Sequence, residues 1–171
     1  MKIVLLIVGV LALLIAAVVI TGALLPKRHV VTRSARFHAS PEQLFALITG
    51  PQTWRPDVAQ CEEVQDSSGR RMQRETSRRN EVITYELLDS DPPRSIRRRI
   101  ATPNLPYSGS WTFVLEPSTD GATVRITEDG EVYNPIFRFV SRFILGQTAS
   151  LDAYLKAMGK ATGQPQVEIE N

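Results

Sequence analysis

Cysteine is nearly absent. Cys61 is the only one in 171 residues, so the chain forms no internal disulfide and holds no paired-cysteine zinc or redox motif. Histidine is almost as scarce, with only His29 and His38, and neither a metal site nor a cofactor is expected. The glycines form no phosphate-cradling loop of the dinucleotide or P-loop kind. No serine sits in a nucleophile elbow, and no local context supports a Ser/His/Asp triad. His38 and Asp57 carry acid and base chemistry, but nothing in the sequence brings them together. Asp89-Ser90-Asp91 is too short for a calcium loop and lacks the Gly and Glu that such a loop needs. Repeats and low-complexity tracts are also missing, and the net charge is only +2.

What is present is unevenly distributed. Of 73 apolar residues, 20 lie in the 23 positions from Ile3 to Leu25, an uncharged run. The rest is a fairly polar stretch suited to a single globular domain, and both intrinsic disorder and a multi-span membrane protein are excluded. A helix of about 20 apolar residues crosses a hydrocarbon core of roughly 30 Å. The run is therefore long enough to span. A cleaved secretory signal has a shorter apolar region, about 7 to 15 residues, ending in small residues. Ala23-Leu24-Leu25-Pro26 lacks that ending, so an anchor at residues 1–26, with residues 3–25 in the membrane, is the preferred reading. Lys27, Arg28, Arg33 and Arg36 follow the run, and the positive-inside rule then places the soluble domain on the cytoplasmic side.

Beyond the anchor, His29 to Phe37 alternates and is rich in β-branched residues, which predicts a strand. Ser40-Pro41-Glu42-Gln43 is a helix start, with Ser as N-cap, Pro at the first position and Gln three residues after the cap. Gly50-Pro51 stops that helix, and a short helix or turn follows to Arg55. From about Glu62 to Tyr133 turn signals recur at hairpin spacing, at Ser67-Ser68-Gly69, Arg79-Asn80, Asp91-Pro92-Pro93 and Thr119-Asp120-Gly121. Strands are predicted near 62–66, 70–78, 81–89, 94–101, 109–117 and 122–133. A last helix, capped by Asn134 with Pro135 at its first position, is expected to run to about residue 158 as a rod of about 36 Å, with Gly146 interrupting its middle and permitting a bend. The tail, 159–171, is polar and expected to fray.

This order, together with Ala39-Ser40-Pro41-Glu42-Gln43-Leu44-Phe45, Trp54, Gly109-Ser110-Trp111-Thr112-Phe113 and Thr127-Glu128-Asp129-Gly130 running into Asn134-Pro135, resembles the START-like (SRPBCC) superfamily and its polyketide cyclase/dehydrase branch. The resemblance covers residues 29–158. It implies an α+β helix-grip fold: a curved antiparallel sheet of about seven strands around a long C-terminal helix, two short helices after the first strand, and a cavity for a hydrophobic or amphipathic small molecule. Such domains include cyclases, lipid carriers and ligand sensors, so fold alone does not fix function. The anchor weights the expectation toward lipid-like ligands.

Pleat parity selects the residues that face the cavity. Trp111 and Phe113 share one face of their strand, while Glu128 interrupts the apolar stripe of Val124, Ile126 and Val132, and Arg98 interrupts that of Ile96 and Ile100. A buried charge needs a partner or water. In the resembled fold the strands of Arg98 and Glu128 flank that of Trp111, which leaves open a polar spot that holds a ligand head group, a plain ion pair at the cavity rim, or a bulge that turns one of the two outward. Trp54, Phe143 and Tyr154 are further lining candidates. Tyr85, Met72 and Arg74 are less determined, because a slip of one residue moves every side chain to the other face. The arginines at 70, 71, 74, 78, 79, 94, 97, 98 and 99 should cluster on adjacent hairpins. Interleaved acidic residues argue against nucleic acid as a partner and for cross-strand ion pairs. Three functions remain open at this point: a membrane-anchored binder of a hydrophobic ligand, a cyclase or dehydratase using Glu128, Arg98 or a tyrosine, and an interaction module with a filled core. Catalytic residues and oligomeric state are not assigned.

Overall fold

The computed structural model describes all 171 residues. Helix α1 (Lys2–Leu24) comes first and touches the rest of the chain chiefly at its C-terminal end. Its apolar side chains are almost wholly exposed, and it is long and apolar enough to cross a membrane. Then come β1 (Arg28–Phe37), α2 (Pro41–Thr49) and a single 3-10 turn (Gln52–Trp54). The meander follows as β2 (Val58–Gln65), β3 (Arg71–Ser77), β4 (Val82–Asp91), β5 (Ser95–Ile100), β6 (Tyr107–Ser118) and β7 (Gly121–Val132). Six meander strands were expected and six are found, each displaced by a few residues at its ends.

The caps explain where the helices start. At α2 the Ser40 hydroxyl accepts from the Gln43 N–H at 3.3 Å, while Gln43 Oε1 accepts from the Ser40 N–H at 3.0 Å. This reciprocal pair satisfies two donors that the first helical turn leaves free. Asn134 does the same for α3 (Pro135–Val140), accepting from the N–H groups of Ile136 and Phe137 at 2.8 and 3.3 Å.

The last helix is not one rod. After α3 the chain makes a π-helical turn (Ser141–Leu145), and a new helix, α4, spans Ala149–Ala161. Gly146, at φ +82°, forms the break. That conformation is open to glycine at little cost and excludes continuation of an α-helix. The tail also differs from expectation. It turns back, Val167 and Ile169 pack against the core, and β8 (Ile169–Glu170) pairs with Ser34 and Ala35 of β1. Gln164 secures the return, accepting from the His38 N–H and donating to the Arg36 carbonyl.

The result is an open antiparallel sheet of eight strands in the order β2-β3-β4-β5-β6-β7-β1-β8. Its core covers only part of the inner face. Phe37, Phe113, Leu115, Val124 and Ile126 from the sheet pack with Leu44 and Ile48 of α2 and Leu151, Leu155 and Met158 of α4. These residues lie toward the end of the sheet remote from α1, where Phe37 pairs with Ala122. The end nearer α1 is left to a cleft.

Candidate functional site

A cleft of about 770 Å³ lies between the uncovered part of the sheet, α3, the π turn and the first turns of α4. Its surface is chiefly apolar, supplied by residues such as Ile83, Ile100, Val132, Phe137, Val140 and Leu145. Gly109 bares part of its floor; its register partner across β6 and β7, Gly130, is buried beneath the His29 ring. A Cβ on Gly109 would lie 2.8 Å from the Asp129 carbonyl oxygen, and one on Gly130 would lie 2.8 Å from the His29 ring.

The inner end is polar and buried. Arg98 is paired in register with Trp111, and Trp111 with Glu128, so the three form one row across β5, β6 and β7. A meeting of Arg98 with Glu128, left open by the strand order, does not occur. Trp111 stands between them, and the Arg98 guanidinium turns toward β3 instead, where Nη1 donates to Glu75 at 3.2 Å. Glu75 also accepts from Arg55 at 2.8 Å, and Arg55 in turn holds Asp57. A single buried carboxylate therefore balances two guanidiniums from different segments of the chain. Aromatic rings close around Arg98, with Tyr85 at 4.8 Å, Phe113 at 5.4 Å, Tyr154 at 5.7 Å and Trp111 at 6.0 Å from its central carbon. A cation held over ring faces gains electrostatic stabilisation there. The Arg98 Nε has no protein partner.

Burial pushes the Tyr85 hydroxyl up to about 12, helped by the negative charge of Glu75. Burial likewise pushes Tyr154 up to about 12, and its hydroxyl donates to Gln52 at 3.0 Å. Burial opposes the charge on Arg55, but Glu75 and Asp57 outweigh it and hold its pKa above the usual arginine value. The inner end thus joins two guanidiniums and two neutral phenols around one carboxylate, with the Tyr154 hydroxyl already given to Gln52.

Glu128 occupies a separate polar spot on the other side of Trp111. Its carboxylate lies 3.5 Å from His29 Nε2 and accepts from Ser150 Oγ at 3.1 Å.

Of the residues singled out from sequence, Arg98, Trp111, Glu128, Tyr85 and Tyr154 line the cleft. Phe113 lies one pleat deeper and is wholly enclosed in the core. Trp54 stands behind Tyr154, with ring centroids 5.2 Å apart, and its indole N–H donates to the Leu47 carbonyl at 3.1 Å. Phe143 is not at the cleft. The π turn and the break at Gly146 take it off the face that Leu151 and Tyr154 share, and it stacks on Phe139 at 5.0 Å with 58% of its surface exposed. Met72 and Arg74 stand at register positions opposite Glu86 and Thr84 on the outer face, leaving Gln73 and Glu75 inward. His38 lies at the remote end, away from Asp57.

Glu75, Arg55, His29 and Ser150 were missed. A parity argument through Tyr85 was the available signal for Glu75, since both stand on the inner face of neighbouring strands. Of the other clustered arginines, Arg70, Arg71, Arg94 and Arg99 form ion pairs as the charge pattern suggested, while Arg78 donates to the Pro56 carbonyl instead. On the outer face Glu86 takes Arg70 at 2.7 Å and also Arg99, and the hydrogen bond from Arg99 holds its carboxyl below the usual range.

Residues 28–161 match the family model described as polyketide cyclase/dehydrase and lipid transport. The chain belongs to this family. No curated protein sequence matches it. Among solved structures it is similar to a START superfamily protein from Mycobacterium smegmatis, at 16% identity and a TM-score of 0.62 over 81% of this chain and 99% of that one. Protein MLL2253 from Mesorhizobium loti gives 13% identity and a TM-score of 0.60 over 81% and 99%. Norcoclaurine synthase from Thalictrum flavum gives 15% and 0.58 over 78% and 86%. At these identities the likeness shows the fold, and the START-like α+β architecture is that fold. For a polyketide cyclase/dehydrase-type domain the cleft is a general ligand-binding site.

Proposed function

We propose that the protein is a membrane-anchored binder of an amphipathic, lipid-like small molecule, held in the cleft with its apolar part along Ile100, Val132 and Val140 and an oxygen acceptor at Arg98. The observation that carries this reading is the incomplete core: packing fills one end of the sheet and leaves about 770 Å³ of mostly apolar space at the other. Pockets of about 300–1,000 Å³ with a few placed polar groups are typical of small-molecule sites. Arg98 is 6% exposed and its Nε is unpartnered, which suits a neutral or anionic oxygen more than an apolar terminus. In this reading α1 is the anchor, supported by its length and apolar composition, and the cations after it support a cytoplasmic domain by the positive-inside rule.

The test is native mass spectrometry of the full chain in detergent, with extraction of whatever co-purifies. A defined apolar or amphipathic molecule is expected in the wild type and lost in Ala153→Trp, which fills the cleft from the α4 side. A wild-type chain that is empty and takes up no added fatty acid or polyketide refutes the proposal. A second reading, acid–base catalysis on a polyketide-like substrate, draws on Glu128, whose carboxylate stands between an imidazole and a hydroxyl at the cleft. It predicts that a bound molecule is chemically changed on incubation, and that Glu128→Gln abolishes the change while binding persists.

A further inference from the structure

We propose that Pro135–Leu145 is an interfacial segment lying in the same leaflet as the end of α1, so that one wall of the cleft faces lipid rather than water. This rests on the reading of α1 as a membrane span.

The depth of the segment is set by two contacts. Gly22 packs against the first residue of α3 so closely that a Cβ there would come 2.0 Å from the Pro135 carbonyl oxygen. Gly22 is two residues before the end of α1, about 3 Å along its axis. A helix that spans the hydrocarbon therefore carries α3 at the level of its own last turn. Arg138 fixes the second contact. Its side chain is buried against the end of α1, where Nη1 donates to the Leu25 carbonyl at 2.7 Å and the Ala23 carbonyl at 3.4 Å. Those carbonyls are among the acceptors that a helix end leaves unsatisfied, and near hydrocarbon no water replaces a missing donor.

The composition of the segment fits that depth. Outside α1 the exposed large apolar side chains concentrate here: Ile136, Phe137, Phe143, Ile144 and Leu145, the last two at 67% and 66%. Such a patch on a soluble surface marks an interaction site. Its partner is identified by position: the patch continues the surface of α1, and Lys27 near the end of α1 and Arg142 within the segment carry positive charge, while Arg28 is paired with Asp129. An apolar face flanked by arginine and lysine is the pattern of a helix lying in the plane of the membrane surface.

The same segment is the cleft wall. Phe137, Val140 and Leu145 contribute to the lining, and Gly146 ends the segment at a break with open space around it.

The test uses the full chain in phosphatidylcholine vesicles doped with phosphatidylglycerol. In a Cys61→Ser background, Ile144→Cys is labelled with an environment-sensitive fluorophore and compared with Ser118→Cys, at the remote end of β6. Acyl chains brominated near the headgroup should quench the first label roughly threefold more strongly than the second. A Phe143→Cys label should give the same result, guarding against a local effect of one site. Flotation with the vesicles reports α1 alone. A chain that floats with both segment labels unquenched overturns the inference and leaves the anchor standing; a chain that does not float overturns both. Quenching in a chain that neither co-purifies with a molecule nor takes up added fatty acid or polyketide supports the segment's placement while removing the ligand reading.

Discussion

Glu75 is the residue whose loss should matter most for stability, because it is the only buried carboxylate shared by Arg55 and Arg98. In Glu75→Gln the side chain keeps its shape and one acceptor, but two guanidiniums, 14% and 6% exposed at their side chains, lose their counter-charge. Breaking a buried pair from one side costs about 3–5 kcal/mol. Asp57 returns little of this, since it is 61% exposed and reaches only Arg55. Removing Arg98 is the milder change. In Arg98→Met, Glu75 keeps Arg55 at 2.8 Å, so the expected loss is about 1–3 kcal/mol, from one charged hydrogen bond and the ring contacts. The double variant Glu75→Gln/Arg98→Met should fall short of the sum, because Arg98→Met removes one of the two guanidiniums that Glu75→Gln leaves without counter-charge, with Arg55 still left to Asp57. Thermal unfolding of the full chain in detergent reads this, with about 2–4 °C per kcal/mol for a protein of this size. Glu75→Gln should lower Tm by roughly 6–20 °C. A shift no larger than that of Arg98→Met, or a double variant equal to the sum of the singles, refutes the idea that Glu75 is the shared counter-ion.

Three further outcomes are expected. Tyr85 and Tyr154 titrate at about 12 in the folded protein, against about 10 unfolded; a raised folded pKa gives stability that is complete below pH 10 and lost between 10 and 12. Tyrosinate absorbance should therefore rise in two stages, with Tyr85→Phe and Tyr154→Phe each removing part of the late one, and a single stage near 10 contradicts the burial argument. Gly146→Ala should cost about 1–2 kcal/mol in denaturant unfolding, purely from its positive φ, because a Cβ there meets nothing within 4 Å; a neutral effect would mean that the break is not held in that conformation. Gly159→Ala should release the tail, since its Cβ would lie 2.2 Å from Val167 Cγ2 and 2.4 Å from the Gln164 carbonyl, and limited proteolysis should then cut beyond Thr162 faster than in the wild type.

The parts of this architecture that sequence reveals are those whose signals are local. The meander is visible because its hairpins carry turn residues and its later strands alternate cleanly. Arg98 is placed inward by Ile96 and Ile100 on either side of it. Strand β3 defeats the same reasoning, because its one apolar residue, Met72, lies on the outer face while Gln73 and Glu75 point inward. Apolar parity there indicates the wrong side. The partner of Arg98 is equally hidden, since the choice between Glu75 and Glu128 depends on the bulk of Trp111 in the register row between strands. The last helix misleads for another reason. Apolar period continues through the π turn, and only the positive φ of Gly146, a property of the folded backbone, divides it. In the tail, Val167 and Ile169 are spaced as a strand would need, but two apolar residues in a polar stretch give too short a run for periodicity to count.

The ladder between β1 and β7 has a mechanical meaning. It runs without interruption from Arg28 opposite Glu131 to Phe37 opposite Ala122, and β1 begins three residues after the last contact of Leu25 with Arg138. With α1 held in a bilayer, as proposed above, tension on it enters the domain along the axis of β1, at the end where the strand starts. Loaded in that direction, the strand must slide past β7, and the backbone bonds of the ladder share the force. They are not peeled in sequence, as they would be if the tether left from a hairpin tip. The bonds from Arg138 yield first and take up small tilts of the domain against the bilayer, while the ten-residue ladder resists the larger pull of a domain dragged through a crowded fluid.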